Sequence, residues 1–278
     1  MSKHPIPRAI TAEVQVEPVH RDLGGPRGVV IAVYSVKGGS GKTMIAVNLA
    51  AALGTKEPGE VVLLDLGLPY NHCALIANLV PTGCLATTDR LHDDRFEHAV
   101  INMCLHHSSG ARVLPTAIKV EQSELVTPQL VQRALEVLEK NFTFVVVDLG
   151  VAMSEVALGV LDRASKVFMV VTPELPAIKD TGELLKLFEK ALQLHAGKIS
   201  LIFNHPRPDA MASRSDAEKV VRRLMQFDIP YDGARFERAA VTGEVLVTRT
   251  PSSAPAKILQ RLANEVLSEH RMLAKKSG

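Results

Sequence analysis

The residues that most clearly could bind a ligand form a short glycine-rich stretch near the start of the chain. It reads Val-Lys-Gly-Gly-Ser-Gly-Lys-Thr over residues 36–43 and directly follows an apolar run. Glycines let backbone amides converge on an anion without interference from a Cβ atom, and a helix after the loop would direct its positive end at the same point. Lys42 is placed to bridge the β- and γ-phosphates, and the Thr43 hydroxyl to bind Mg²⁺. The stretch therefore predicts a loop that wraps a nucleoside triphosphate.

The spacing of this loop departs from the strict Walker A pattern at its first position. That pattern has glycine where this chain has Val36, and an additional lysine, Lys37, follows it. Lys-Gly-Gly-x-Gly-Lys-Thr is the deviant form of the motif. A glycine-rich turn that binds nothing is the alternative, but a preceding strand, a following helix, two lysines and a threonine in register rarely combine by chance.

The surrounding sequence predicts the elements that must hold the loop in place. Five short runs are rich in β-branched residues and do not alternate with polar ones, which is typical of parallel strands covered on both faces. These runs lie at 29–34, 61–64, 144–147, 167–171 and 199–203. Amphipathic segments lie near 43–53, 128–140, 154–163, 177–195, 215–226 and 255–273, and Thr127-Pro128 and Ala254-Pro255 are suitable helix starts. The alternation predicts a doubly wound α/β domain with a mostly parallel sheet.

The composition is that of an ordinary globular protein. The chain has 278 residues, 46% of them hydrophobic, with a formal net charge of +2, so no strong field indicates a nucleic-acid or lipid partner. Residues 1–27 contain four prolines and no sustained period, which indicates a flexible N-terminal arm before a single domain over 28–278. No apolar run approaches the length of a membrane span, the start does not read as a secretory signal, and three cysteines are too few for a disulfide scaffold. We expect a cytoplasmic protein.

The phosphate loop, with the strand ending in Asp65, resembles the MinD/ParA group of P-loop ATPases, which belongs to the SIMIBI class. The resemblance extends over nearly all of residues 29–270. Further matching segments are Val145 to Asp148, Val171 to Glu174 followed by Ala177 to Asp180, Phe203-Asn204, Ile229 to Asp232 and Pro251 to Ser253. Within the group, Asp65 to Leu68 and the stretch from Val113 to Pro128 are most similar to the CpaE/TadZ pilus-assembly branch. Members of that branch commonly have a receiver-like domain before the ATPase, whereas the predicted arm of residues 1–27 stands before the domain here.

The resemblance implies a mechanism and a set of site residues. In the family, two subunits close face to face around two ATP molecules, and the first lysine of the loop, here Lys37, reaches the partner's phosphates in the manner of an arginine finger. The implied cofactors are ATP and Mg²⁺. The implied catalytic residues are Lys37, Lys42 and Asp65. Metal binding falls to Thr43 and Asp148, and nucleotide binding to Gly38, Gly39, Ser40, Gly41, Lys42, Thr43, Met44 and Asn204, the last at the adenine. Each of three residues also has an interpretation without a ligand. Asn204 would then be a plain turn residue, Asp148 a helix cap and Lys37 a solvated surface charge.

The family pattern fails where water would be activated. Members usually carry Asp-x-Asp after the second strand, and the second Asp orients the attacking water, whereas this chain has Asp65-Leu66-Gly67. Met44 also replaces a threonine that commonly touches the α-phosphate. Losing a water-positioning group costs on the order of 10²–10⁴ in rate. Asp65 can recover part of that role if the loop shifts, so we expect weak ATP hydrolysis.

The function implied by the resemblance is an ATP-dependent homodimer that acts as a spatial switch, positioning pilus or secretion machinery. One alternative is a ParA-like partitioning ATPase that binds DNA, and another is a MinD-like division-site regulator at the membrane. Polar or peripheral membrane placement would follow from these functions. The C-terminal tail, with Leu267, Met272 and Leu273, has few bulky apolar residues, so any lipid binding would be peripheral.

Two other groups of residues invite functional readings. His72-Cys73, Cys84, His92, His98, Cys104 and His106-His107 match no regular metal-ligand spacing, and solvated histidines with small buried cysteines explain them better. Basic residues at 207, 214, 219, 222, 223, 235 and 238 could form a DNA-binding face. Acidic residues interleave with them, which favours a solvated surface of mixed charge.

Overall fold

The computed structural model describes residues 27–190, 196–209 and 212–277. Eight strands form one sheet in the order β3-β4-β2-β5-β1-β6-β7-β8, and every pair is parallel except β3 with β4. The strands are β1 Val29–Tyr34, β2 Val61–Leu66, β3 Leu105–His106, β4 Arg112–Pro115, β5 Phe144–Leu149, β6 Lys166–Val171, β7 Ile199–Asn204 and β8 Phe227–Ile229. The predicted doubly wound α/β fold with a mostly parallel sheet is confirmed.

Ten α-helices connect and cover the strands within the described residues. They are α1 Lys42–Lys56, α2 Cys73–Ile76, α3 Asp93–Asn102, α4 Pro128–Asn141, α5 Glu155–Arg163, α6 Leu175–Lys190, α7 Arg214–Val221, α8 Gly233–Thr242, α9 Leu246–Arg249 and α10 Ala254–Ser277. Short 3₁₀ helices cover Leu85–Thr88, Val120–Leu125 and Ala196–Lys198. No helix in the described part of the chain has the length and apolar character of a membrane span.

The two faces of the sheet build two separate cores. In β1, Val30 and Ala32 face the core formed with α3 to α7, while Ile31 and Val33 face the core formed with α1, α2, α9 and α10. Both sets are fully buried, which explains why the central strands are apolar without alternation. The central position of β1, between β5 and β6, carries the phosphate loop to the middle of the sheet edge.

Four helices in the described part of the chain start where a hydroxyl side chain accepts a hydrogen bond from the first turn. Thr127, Ser154, Ser213 and Ser253 cap α4, α5, α7 and α10 in this way, which confirms Thr127-Pro128 and Ala254-Pro255 as helix starts. The helix predicted over 215–226 is wrong at its end. It stops at Val221 because Arg222 adopts a left-handed conformation, at φ 57°, and the chain turns toward β8.

Other predicted boundaries shift or lie outside the described residues. The helix predicted to 195 is described to Lys190, and residues 191–195 are outside the described ranges, as is nearly all of the predicted N-terminal arm, residues 1–26. The irregular stretch 70–110, for which no element was predicted, contains α2, α3 and the edge strand β3.

One buried side chain ties α1 to the C-terminal helices. Asn48 is fully buried in α1 and donates from Nδ2 to the Met44 carbonyl at 2.8 Å. Its Oδ1 accepts from the Val247 amide in α9 at 3.0 Å. The two bonds satisfy a polar side chain inside an apolar core and join the first turn of α1 to α9.

Candidate functional site

The loop 35–41 leaves the carboxyl end of β1 and leads directly into α1, which begins at Lys42. Gly39 and Gly41 have φ of 71° and 87°, a left-handed conformation that strongly favours glycine. Gly41 is also the N-cap of α1, where no side chain caps the helix. The first amides of α1 are therefore left to bind an anion, as the sequence predicted for a phosphate loop.

Asn204, at the end of β7, forms a hydrogen bond with the backbone of the phosphate loop. Its Nδ2 donates to the Ser40 carbonyl at 2.7 Å. A Cβ atom at Gly41 would lie 2.5 Å from the same nitrogen, so a side chain at position 41 is excluded by this contact as well as by φ. The structure thus assigns Asn204 a buried contact to the loop, while its predicted contact to adenine stays a prediction.

An open cleft is lined in part by His205, the residue that follows Asn204 in the chain. It measures about 490 Å³. Its lining residues are His205, Asp228, Pro230, Tyr231, Ala254 and Ile258. His205 Nε2 and Asp228 Oδ1 lie 2.9 Å apart at its wall. His205 thus connects this cleft in sequence to Asn204, which contacts the phosphate loop.

Lys37 is held by an ion pair within its own chain. Its Nζ lies 2.8 Å from Oε1 of Glu174, the residue just before α6. Partial burial alone would raise the pKa of Glu174, but the hydrogen bond from Lys37 lowers it below the ordinary value. Lys37 stays partly exposed at the start of the loop, so its ammonium faces the surface of the molecule and is not sequestered in the core.

Asp65 and Asp148 lie side by side because their strands are neighbours. They are register partners on the parallel strands β2 and β5, and both are buried. Burial, together with the charge of Asp65, raises the pKa of Asp148 to about 7, while the Thr43 hydroxyl and the Lys42 ammonium act in the opposite direction. Thr43, Lys42 and Asp148 therefore lie together at one point, and their predicted contacts to Mg²⁺ and phosphate stay predictions.

The residues at this point fit a divalent cation. Oδ1 of Asp148 is buried and has no hydrogen-bond partner among the described residues. A hydroxyl and a carboxylate are hard oxygen donors, the kind that Mg²⁺ prefers. Thr43 and Asp148 would hold Mg²⁺ here, and the ion would neutralise charge on the bound phosphates.

Asp65 makes contacts that serve the following loop. Its Oδ1 accepts from the Gly67 amide at 3.0 Å and its Oδ2 from the Cys73 amide at 2.8 Å. A Cβ atom at Gly67 would lie 3.2 Å from Asp65 Oδ1 and 3.5 Å from Asp148 Oδ2. Position 67 therefore adjoins the carboxylate pair, and both carboxylate oxygens of Asp65 are engaged in pinning the loop.

The raised pKa of Asp148 predicts how stability depends on pH without metal and nucleotide. Between the ordinary pKa of Asp, about 4, and about 7, the folded state holds a proton that the unfolded state releases, so the free energy of unfolding falls as pH rises through that window. Asp148→Asn removes this loss. We expect the variant to gain melting temperature over wild type as pH rises from about 5 to about 8.

Thermal melts in a chelator, at a series of pH values, measure this difference. The control is Asp162→Asn, which changes an exposed carboxyl group on α5. Melting temperatures of wild type and Asp148→Asn that run parallel across the pH series would contradict the assignment.

Sequence reasoning missed two members of the site. Glu174 was noted within a matching segment, but nothing indicated its ion pair with Lys37. Cys73 was read as a small buried cysteine, and it is buried, but its Sγ lies 3.6 Å from Asp148 Oδ2. Both contacts join residues far apart in the chain, and neither residue has a spacing signal that could have indicated its partner.

Comparison with known proteins places these features in a wider group. A family model described as an AAA domain matches residues 28–200. The septum site-determining protein MinD of Synechocystis is 26% identical over 244 residues, covering 85% of this chain and 88% of that protein. The crystal structure of a ParA family ATPase from Chlorobium tepidum is 26% identical, with a TM-score of 0.75 over 85% of this chain and 98% of that one. The cell division ATPase MinD of Pyrococcus furiosus is 25% identical, with a TM-score of 0.73 over 87% and 99% of the two chains.

Proposed function

Because the chain belongs to the AAA-domain family, in the MinD/ParA group of P-loop ATPases, we propose that it is a nucleotide-gated spatial switch. In this proposal it binds Mg-ATP through the deviant loop and forms a homodimer around two ATP molecules. The dimer positions a localised machine, such as pilus or secretion machinery, as the CpaE/TadZ-like segments suggest. The observation that carries the proposal is a second lysine, Lys37, at the partly exposed start of a glycine loop that leads into a helix N-terminus without a side-chain cap.

The surface around the loop supports a second copy of the chain as the partner. Large apolar side chains are exposed just beyond the carboxyl ends of four strands near the loop, β4, β2, β5 and β6. They are Tyr70 after β2, Ile118 and Val120 after β4, Val151 after β5 and Leu175 after β6. These strands and β1 are consecutive in the sheet. An apolar margin around a phosphate loop suits a face that a second subunit covers.

Each residue of the site has a defined task in this proposal. The amides of the loop and Lys42 bind the phosphates, and Asn204 keeps the loop in its open curve. Thr43 and Asp148 hold Mg²⁺. Lys37 supplies a cation to the partner's phosphates, which stabilises charge on the transferring phosphoryl group and makes the dimer sensitive to the γ-phosphate. In the single chain, Glu174 holds that ammonium at the rim of the loop.

The oligomeric mass in solution tests the switch. We expect a monomer without nucleotide and with ADP, and a dimer with ATP and Mg²⁺, because only the triphosphate offers the partner's lysine its γ-phosphate contacts. Light scattering coupled to gel filtration measures the mass under the three conditions. A mass that is the same in all three would overturn the proposed dimer mechanism.

The slow-turnover part of the proposal predicts a gain of activity from one substitution. Gly67→Asp restores a carboxyl group beside the carboxylate pair, and we expect ATP hydrolysis to rise by about tenfold or more. Gly67→Ala is the control, since its Cβ makes the same close approach to Asp65 without the carboxyl group. Phosphate release at saturating ATP is the measurement, with a thermal melt to show that each variant is folded. Wild type as fast as Gly67→Asp would refute the impaired site.

DNA binding is the less supported alternative. Within the described residues of the suggested basic face, Arg214 pairs with Glu218, Lys219 with Asp216 and Arg235 with Asp232. These ion pairs neutralise cations that a phosphate backbone would need. Salt-sensitive, ATP-dependent binding to random DNA would favour the partitioning function, and ATP-dependent sedimentation with anionic liposomes would favour a membrane function.

A further inference from the structure

A buried cluster of two carboxylates and a thiol lies behind the phosphate loop. Asp65, Cys73 and Asp148 each offer one ligand atom, and these atoms lie within 4.8 Å of one another. All three residues are at most 1% exposed. A bound metal ion is one way to stabilise a thiol and two carboxylates that converge away from solvent.

The fold positions this cluster from three independent directions. Parallel register sets Asp65 beside Asp148. The loop after β2 is pinned back, since Asn71 Nδ2 donates to the Asp65 carbonyl at 2.9 Å and the Ala117 amide donates to Asn71 Oδ1 at 2.7 Å. The Cys73 amide then donates to Asp65 Oδ2, so α2 begins with its first side chain directed at the carboxylates.

The cluster leaves a buried acceptor unsatisfied. Asp148 Oδ2 accepts from Cys73 Sγ, but Oδ1 has no hydrogen-bond partner among the described residues. No ion pair joins either carboxylate to a cation in the described part of the chain. A buried carboxylate oxygen without a donor is costly, and a bound cation removes that cost.

We propose that Asp65, Cys73 and Asp148 form a site for a divalent transition-metal ion of borderline softness, of the Zn²⁺ class. Sulfur is a poor ligand for Mg²⁺ and a good one for this class. Zn–S and Zn–O bonds of about 2.3 and 2.0 Å at a tetrahedral angle place the two ligand atoms about 3.5 Å apart. The distance from Cys73 Sγ to Asp148 Oδ2 is 3.6 Å.

Three protein ligands leave one coordination position for water or a phosphate oxygen. Binding requires the Cys73 thiol to become a thiolate, and its proton is released to the buffer. The side chain absent at Gly67 leaves the approach to Asp65 and Asp148 open, since a Cβ there would come within 3.2 Å of Asp65 Oδ1. This chain thus has a thiol beside the carboxylates at 73 and lacks the carboxylate that the family usually has at 67.

Co²⁺ is the probe, because a thiolate bound to it produces a charge-transfer absorption that oxygen ligands do not. We expect the metal-free protein to bind one Co²⁺ with that near-ultraviolet absorption and with the visible bands of a tetrahedral ion. Zn²⁺ should displace it, and an excess of Mg²⁺ should not. Cys73→Ser is expected to abolish the charge-transfer band and to weaken Co²⁺ binding by about 100-fold or more, since losing even an outer partner of a metal ligand costs about 10–100-fold.

The other two cysteines provide matched controls. Cys84 and Cys104 are also buried and free, but neither belongs to the cluster. Cys84→Ser and Cys104→Ser should keep the band. The double variant, in which Cys73 is the only thiol left, should keep it too, and this variant decides the question if Cys73→Ser does not fold. No band in wild type, a band that persists in Cys73→Ser, or a band lost in the double variant while it remains folded would each overturn the proposal.

The site shares Asp148 with the proposed Mg-ATP site and so rests in part on the proposed function. Calorimetry of Mg-ATP binding, run on the same samples, separates the two. Cobalt bound through Cys73 without ATP binding refutes the proposed function alone. ATP binding and ATP-dependent dimerisation without a charge-transfer band refute the metal site alone.

Discussion

Replacing Lys42 with alanine is expected to weaken Mg-ATP binding by about 10²-fold or more. Lys42 is the first residue of α1, whose N-terminus has no side-chain cap, so in the proposed site its ammonium and the helix end would act on the same phosphates. A charge-assisted hydrogen bond contributes about 1.5–3 kcal/mol, and 1.4 kcal/mol is about tenfold in affinity. Loss of this lysine also leaves Asp148 with less positive charge nearby. Calorimetry in the presence of Mg²⁺ measures the affinity.

Lys56→Ala is the matched control for this experiment. Lys56 ends the same helix, is exposed, and lies far from the loop. Its substitution makes the same change in net charge and in helix composition, so we expect the affinity for Mg-ATP to stay within about twofold of wild type. If Lys42→Ala and Lys56→Ala bind Mg-ATP with similar affinity, the proposal that the phosphate loop binds ATP is wrong.

Replacing Lys37 with alanine is expected to abolish the ATP-dependent dimer and leave ATP binding within about threefold of wild type. In the proposed dimer Lys37 acts on the partner's phosphates, so a single chain is expected to lose little when it is removed. The two measurements are the mass by light scattering, with ATP and with ADP, and calorimetry of the monomer. Lys179→Ala, which removes an exposed cation on α6, should leave the dimer intact.

The ion pair between Lys37 and Glu174 requires a second control, because Lys37→Ala also leaves Glu174 without its cation. Glu174→Gln breaks the same ion pair and keeps the ammonium. If the ammonium drives dimerisation, Glu174→Gln still dimerises with ATP. If Glu174→Gln and Lys37→Ala lose the dimer equally, the ion pair is a structural requirement and Lys37 has no separate role across the interface.

The central part of the fold was predictable from sequence because it depends on local patterns. Strands buried on both faces need apolar β-branched residues at every position, and β1, β2, β5, β6 and β7 have them. The strands at or next to the edges of the sheet, β3, β4 and β8, were not predicted. The strand β4 is short and includes Arg112 and Pro115, and β8 has only three residues with Asp228 in the middle. Neither has the amino-acid composition typical of a buried strand, because pairing with a neighbouring strand holds it in place.

The site was predictable to the same extent and for the same reason. Positions 36–43 follow one another in sequence, so their chemistry can be read from spacing alone. The contacts of Cys73 with Asp148 and of Lys37 with Glu174 depend on strand order and on how two loops fold. The neighbouring positions of Asp65 and Asp148 could have been expected once β2 and β5 were known to be adjacent, but sequence does not give strand order.

The side chain of Asn48 links α1 to α9. This one side chain holds the first turn of α1, which carries the phosphate loop, and the amide of Val247 in α9. The two hydrogen bonds thereby hold the first turn of α1 at a fixed distance from α9. Any displacement of α9 therefore acts through Asn48 on the first turn of α1, at the end of the phosphate loop.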